Sequence, residues 1–206
     1  MPHRFSELMF TAAVQARQAH YGARHDMERH ALDMAGYDRL SSTEAAFIAA
    51  RDSFYQASVS ETGWPYVQHR GGPAGFLKVL DAKRLAYADF RGNRQYISAG
   101  NLAVNDRVAL FLVDYQNRRR LKILGRMQLT DVADANEALV AALRPYPYRA
   151  AMERIAVITV EAFDWNCSQH ITPRYTEAQL HSVVAPLHAR IGELQAEIAA
   201  LQARLA

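Results

Sequence analysis

Residues 107–132 read RVALFLVDYQNRRRLKILGRMQLTDV. Two runs rich in Val, Leu, Ile and Phe, at 107–115 and 121–132, flank a polar junction from Asp114 to Asn117 that leads into three arginines. Short apolar runs bounded by turn-forming residues are strand signals, and a junction this short makes the two strands antiparallel neighbours. The same reading extends in both directions. FYQASVSE (54–61), PYVQHR (65–70), GFLKVLD (75–81), RLAYADF (84–90) and RIAVITVEAFDW (154–165) share this composition, with turn signals such as Thr62-Gly63 and Gly71-Gly72-Pro73 between them. Six or seven strands joined mostly by short turns predict an antiparallel barrel rather than a parallel sheet.

Helices punctuate and flank these strands. Residues 1–45 are mixed and charged, with helical stretches. Ser41 is placed to cap a helix, and Glu44, three positions on, to reach back to it, which predicts a short helix through Arg51. Two further helices are expected at about 94–104 and 134–144. At the C-terminal end Leu187, Ile191, Leu194, Ile198, Leu201 and Leu205 alternate steps of four and three, a heptad stripe with Arg, Glu and Gln on the other faces. So narrow a seam suits a helix–helix contact better than a broad sheet, which favours a partner's helix over the chain's own barrel. The expected organisation is mainly β with flanking helices (α+β): an N-terminal helical extension (1–45), a barrel (46–175) and a C-terminal helix (176–206).

Composition limits the function. The chain has 206 residues, 50% hydrophobic and 22% charged, enough to bury a core. A net charge of +3 is too small a basic excess to argue for nucleic-acid binding. Cys167 is the single cysteine, which excludes an internal disulfide and a cysteine-rich zinc site; its expected state is buried and inert. No window approaches the ~20 apolar residues of a membrane span, so a cytoplasmic protein is the default expectation. His20, His25 and His30 recur every five residues, a step that scatters them around a helix and argues against a metal site. No GxSxG elbow, Ser-His-Asp spacing or phosphate-cradling Walker loop is present, which leaves hydrolase and triphosphatase readings without support.

Three stretches carry candidate chemistry. In YADFRGNRQYISAGNL (87–102), Arg91, Asn93, Arg94 and Gln95 surround Gly92 between a strand and a helix. Arginine forks, an unscreened backbone and a helix N-terminus are what a phosphomonoester needs. On spacing alone, Arg91 and Arg94 read equally well as solvated charges around a turn. In YVQHRGGPAGFLKVL (66–80), two glycines and Pro73 follow a strand and leave main-chain groups accessible to a flat heteroaromatic edge, although a tight turn is the commoner use. Lys78 sits in the following strand. In NRRRLKILGR (117–126), strand alternation puts Arg118, Arg120 and Lys122 on one face and Arg119, Leu121 and Ile123 on the other. This is a solvated edge or one wall of an anion pocket at a dimer interface.

Residues 66–129 as a whole resemble the core of the pyridoxamine 5'-phosphate oxidase-like, FMN-binding split-barrel proteins, and the similarity extends over about 45–175. It is closest to the subgroup described as flavin-nucleotide-binding or pyridoxamine-phosphate-oxidase-related. The resemblance implies a split β-barrel homodimer with FMN at the interface. It implies that His69, Arg70, Gly71, Gly72 and Pro73 flank the isoalloxazine ring. Ala88, Asp89, Asn93, Arg94 and Gln95, with Arg91, then hold the phosphate and ribityl chain. Arg119, Arg120 and Lys122 would come from the partner subunit, and Trp165 and Arg174, near His170, would close over the flavin. Lys78, Lys122 and Arg70 are the cations available to stabilise a reduced flavin. The Arg-x-His pair of true pyridoxamine-phosphate oxidases is absent from QHITPRY (169–175). The implied activity is therefore FMN-dependent oxidoreduction of a small substrate rather than vitamin B6 oxidation. A non-catalytic flavin-sequestering or redox-sensing protein is the alternative, and His69 and His170 keep haem open as a ligand.

Overall fold

The computed structural model describes residues 3–33, 37–144, 148–166 and 168–205, so Cys167 lies outside the described residues. The chain divides into two compact units, one spanning 1–114 and 119–168, the other 115–118 and 169–206. The first contains α1 (Arg4–Met9), α2 (Ala12–His20), α3 (Arg24–Asp33), α4 (Ser42–Ala49), β1 (Ser53–Val59), β2 (Pro65–Gly71), β3 (Lys78–Asp81), β4 (Arg84–Phe90), α5 (Ile97–Val104), β5 (Arg107–Asp114), β6 (Arg119–Asp131), α6 (Glu137–Leu143) and β7 (Met152–Asn166). The second contains α7 (Glu177–Leu205). The N-terminal helices thus share a unit with the strands. No helix among the described residues is long and apolar enough to cross a membrane.

All seven strands join one antiparallel sheet in the order β2-β1-β5-β6-β7-β4-β3. The hairpin read from residues 107–132 forms as β5–β6, with Asp114 opposite Arg119 and Arg107 opposite Arg126. Alternation sends Val108, Leu110, Leu112, Leu121, Ile123 and Met127 into one core with Phe54, Phe76, Leu85 and Tyr87. The sheet curls on itself: Phe54 of β1 packs edge-on against Tyr87 of β4, whose hydroxyl donates to Gln56 at 2.7 Å. Strands far apart in sheet order therefore meet across the interior while β2 and β3 remain the sheet's edges, a split barrel in an α+β fold. At the β6–β7 bulge, a Cβ on Gly125 would lie 2.7 Å from the Thr159 carbonyl oxygen, so only glycine permits this approach of the strands.

β4 is buried on both faces. Leu85 and Tyr87 face the main core, while Ala86 and Ala88 face a second cluster closed by Leu143 and Ile155, with Leu139 and Val140 of α6 packed against it. Small residues on that face give α6 room to lie against the strand. The helix boundaries are shorter than expected from sequence. α4 stops at Ala49 and keeps the expected capping box, Ser41 with Glu44. α6 begins at Glu137, behind Asn136 as its cap and a single 3-10 turn over Val132–Asp134. α5 starts at Ile97 rather than near residue 94, because Arg94 (φ 63°) and Tyr96 (φ 53°) are left-handed and helical geometry begins only after them.

Candidate functional site

The barrel opens into a cleft of about 170 Å³ where β2, β4, α5 and β7 converge. Alternation on β2 presents Tyr66, Gln68 and Arg70 to it. β4 contributes Asp89 and Phe90, the following turn contributes Gly92 to Tyr96, α5 contributes Ile97, Ser98 and Ala99, and β7 contributes Glu153 and Arg154.

Asp89 organises this cleft. It is 2% exposed, and its carboxylate accepts from Arg70 Nη1 at 2.6 Å and from Arg154 Nε and Nη2 at 2.9 and 2.7 Å. Burying a carboxylate is costly unless donors replace its water, and two guanidinium groups do so here. Burial would lower the Arg154 pKa, but the hydrogen bond and charge of Asp89 and the charge of Glu153 carry it above its ordinary value. The Arg154 guanidinium also lies over the Tyr96 ring, 5.0 Å from its centre. Arg70 keeps a buried Nε with no hydrogen-bond partner among the described residues.

The turn supplies the opposite wall. Asn93 Oδ1 accepts from the Gln95 backbone N–H, and the left-handed backbone at Arg94 and Tyr96 folds the chain tightly before α5. Tyr96 is the N-cap of α5 and makes no side-chain cap bond, so the first amides of α5 have no capping side chain at the cleft wall. Arg91 lies just outside and donates to Glu153 at 2.8 Å. That bond, with the Tyr96 hydroxyl and the Arg154 charge, holds the Glu153 pKa below the usual carboxylate range against its partial burial. Among the described residues Arg70, Arg91, Arg94 and Arg154 face only Asp89 and Glu153, four positive charges against two negative, which leaves two positive charges uncompensated around the cleft. Arginine forks beside a bare helix N-terminus suit a phosphate dianion.

Of the residues expected from sequence, Arg70, Asp89, Asn93, Arg94 and Gln95 line this cleft and Arg91 braces it. The others lie elsewhere. His69 is on the opposite face of β2, edge-on to Tyr55. Gly71 ends β2 opposite Ser53. A Cβ on Gly72 would sit 2.9 Å from the Phe76 ring, and Pro73 accepts from the Phe76 amide, so this loop packs against the core. Ala88 lies beneath α6 in the second cluster, and Lys78 is exposed at the start of edge strand β3.

The basic cluster divides rather than forming one wall. Arg118 is in the turn before β6, with φ 52°. Arg119 lies over Trp165 and Phe47, at 4.5 and 5.4 Å from the ring centres. Lys122 lies over Phe5, and half-buried Arg120 has a buried Nε with no hydrogen-bond partner among the described residues. The Trp165 indole donates to Glu44 Oε1 at 2.8 Å, joining β7 to α4. Arg174, in the second unit, lies over Tyr115. Sequence reasoning missed Tyr66, Gln68, Tyr96, Ser98, Glu153 and Arg154. The alternation of Tyr66, Gln68 and Arg70 on one strand face was a usable signal. Nothing local marked Arg154, which stands opposite Asp89 only through the β4–β7 register.

A family model for pyridoxamine 5'-phosphate oxidase matches residues 40–167, the segment that builds the barrel and the cleft. The chain belongs to the pyridoxamine 5'-phosphate oxidase family. Among solved structures, this family member is similar to HupZ of Group A Streptococcus, at 14% identity and a TM-score of 0.49 over 66% of this chain and 100% of that one. It is also similar to an FMN-binding protein of Syntrophomonas wolfei, at 11% identity and a TM-score of 0.47 over 74% and 97% of the two chains. A Clostridium acetobutylicum protein related to general stress protein 26 follows, at 13% identity and a TM-score of 0.43 over 62% and 86%. Comparison with curated proteins finds no match.

Proposed function

We propose that this family member is an FMN-binding flavoprotein, an oxidoreductase acting on a small substrate, with the FMN phosphate held in the cleft between Arg70, Arg94, Arg154 and the N-terminus of α5. The observation that carries the reading is the convergence on one cleft of the uncapped start of α5 and the side chains of Arg70, Arg94 and Arg154. A phosphate there would accept from the α5 amides and balance the excess of arginine charge over Asp89 and Glu153. When bound, the flavin supplies the hydride and electron chemistry, while the chain binds and orients it. Asn93 and Gln95 are placed for the ribityl hydroxyls, and Tyr66 and Gln68 for the chain beyond them.

The cleft's 170 Å³ is below the ~300–1,000 Å³ usual for a ligand of this size, so the isoalloxazine ring extends past it. We therefore propose a homodimer in which a second copy covers the ring, with Arg119, Arg120 and Lys122 as the cations it could contribute. His69 turns away from the cleft, which disfavours it as a haem ligand there. The test is the visible spectrum of the purified protein, with the ligand released by denaturation and weighed. A flavin spectrum with the mass of FMN supports the reading. A colourless protein that also fails to take up added FMN overturns it and returns Arg91, Arg94 and the 118–122 cluster to surface charge.

A further inference from the structure

We infer that α7 pairs with the α7 of a second copy of this chain as a parallel two-stranded coiled coil. The inference rests on the helix alone and not on the flavin reading. Along its 29 residues, Leu180, Val184, Leu187, Ile191, Leu194, Ile198 and Leu201 recur in steps of four and three. Each is between 36% and 59% exposed. Seven large apolar side chains in one exposed stripe are far more than scattered surface residues would leave in water.

The chemistry of the stripe selects the occupant. Its two alternating positions are sorted: Val184, Ile191 and Ile198 occupy one (position a), and Leu180, Leu187, Leu194 and Leu201 the other (position d). A β-branched side chain at a and leucine at d pack best when each meets its own equivalent across a two-stranded parallel interface. A broad sheet face or an irregular groove would not require this sorting. The flanking positions agree. In a parallel pair Val183 meets His188, Arg190 meets Gln195 and Glu197 meets Gln202 of the other strand, so no like charges oppose one another. Pro186 falls outside the stripe, and Ala189, Ala196 and Ala203 occupy the outermost positions, where high helix propensity is useful and packing is not needed.

The test uses the full chain with Cys167→Ser, so that one introduced thiol is the only one present. Ile191→Cys puts a thiol at an a position, opposite itself in a parallel pair, whereas Ala196→Cys puts one on the outer face. Under mild oxidation Ile191→Cys is expected to give about ten-fold more covalent dimer than Ala196→Cys, because the paired helices hold the two thiols at high effective concentration. Leu194→Asp with Leu201→Asp, added to Ile191→Cys, is expected to bring it down to the Ala196→Cys level. Equal cross-linking of Ile191→Cys and Ala196→Cys overturns the inference, as an antiparallel pair or a different occupant would produce. Cross-linking that survives the two aspartates also overturns it. FMN content, read on the same samples, reports separately on the cleft.

Discussion

Asp89 and Arg94 stand five residues apart in the chain and are expected to fail in opposite ways. Asp89 is buried between two guanidinium groups, so Asp89→Ala leaves Arg70 and Arg154 facing each other without their shared counter-ion. Losing one partner of such a buried cluster costs ~3–5 kcal/mol, and denaturant unfolding should show the free energy of unfolding falling by that amount, with the midpoint moving to lower denaturant at unchanged slope. Arg94 is exposed, and among the described residues no hydrogen bond or ion pair ties it to the protein. Arg94→Ala should leave stability within ~0.5 kcal/mol. It should weaken FMN binding about 10- to 100-fold, the worth of ~1.5–3 kcal/mol for a charge-assisted hydrogen bond. Fluorescence titration of apoprotein with FMN measures the loss. Unchanged affinity would remove Arg94 from the phosphate site.

Two elements outside the lining of the cleft are expected to serve the fold. Gly72 touches Phe76, so Gly72→Ala overpacks the core and should destabilise the protein by ~1–3 kcal/mol with FMN affinity kept. Lost affinity at normal stability would instead make the loop part of the flavin pocket. The start of α4 carries a pH dependence. Burial alone would raise the Glu44 pKa, but the Ser41 hydroxyl, the Trp165 indole and the Ser41 amide together hold it below the usual carboxylate range. Its folded pKa is therefore lower than its unfolded one, and the stability it contributes is present above an unfolded value of ~4.3 and lost as pH falls through the folded value. Glu44→Gln should lower stability at pH 7 and flatten the acid limb below about pH 4.5, as read from denaturant midpoints at pH 7 and 3.5.

At the scale of the whole molecule, a ligand that binds only the folded chain stabilises it by mass action. FMN at about 100 times its Kd should add ~2.7 kcal/mol, raising Tm by roughly 5–10 °C for a chain of this size. Riboflavin has the same ring without the phosphate and should raise it much less. Equal shifts from the two would argue that the cationic corner is not where the phosphate sits. The proposed homodimer predicts one FMN per chain and two chains per particle by light scattering.

The strands, the capped start of α4 and the heptad stripe of α7 were legible in the sequence because each is a local periodicity or a local pairing of residue types. Arg91, Asn93, Arg94 and Gln95 were legible as one corner because they are neighbours in the chain. Sequence alone could not choose between a phosphate site and a solvated turn. The tertiary structure decided that Asp89 is clasped by Arg70 and Arg154, residues 19 and 65 positions away. It also sent His69, Gly72 and Trp165 to packing roles, through which strand face turns inward and which ring fills the space beside it. Both outcomes depend on register and on closure of the barrel. A one-residue slip in β4 against β7 would carry Arg154 to the other face, and no local pattern records that register.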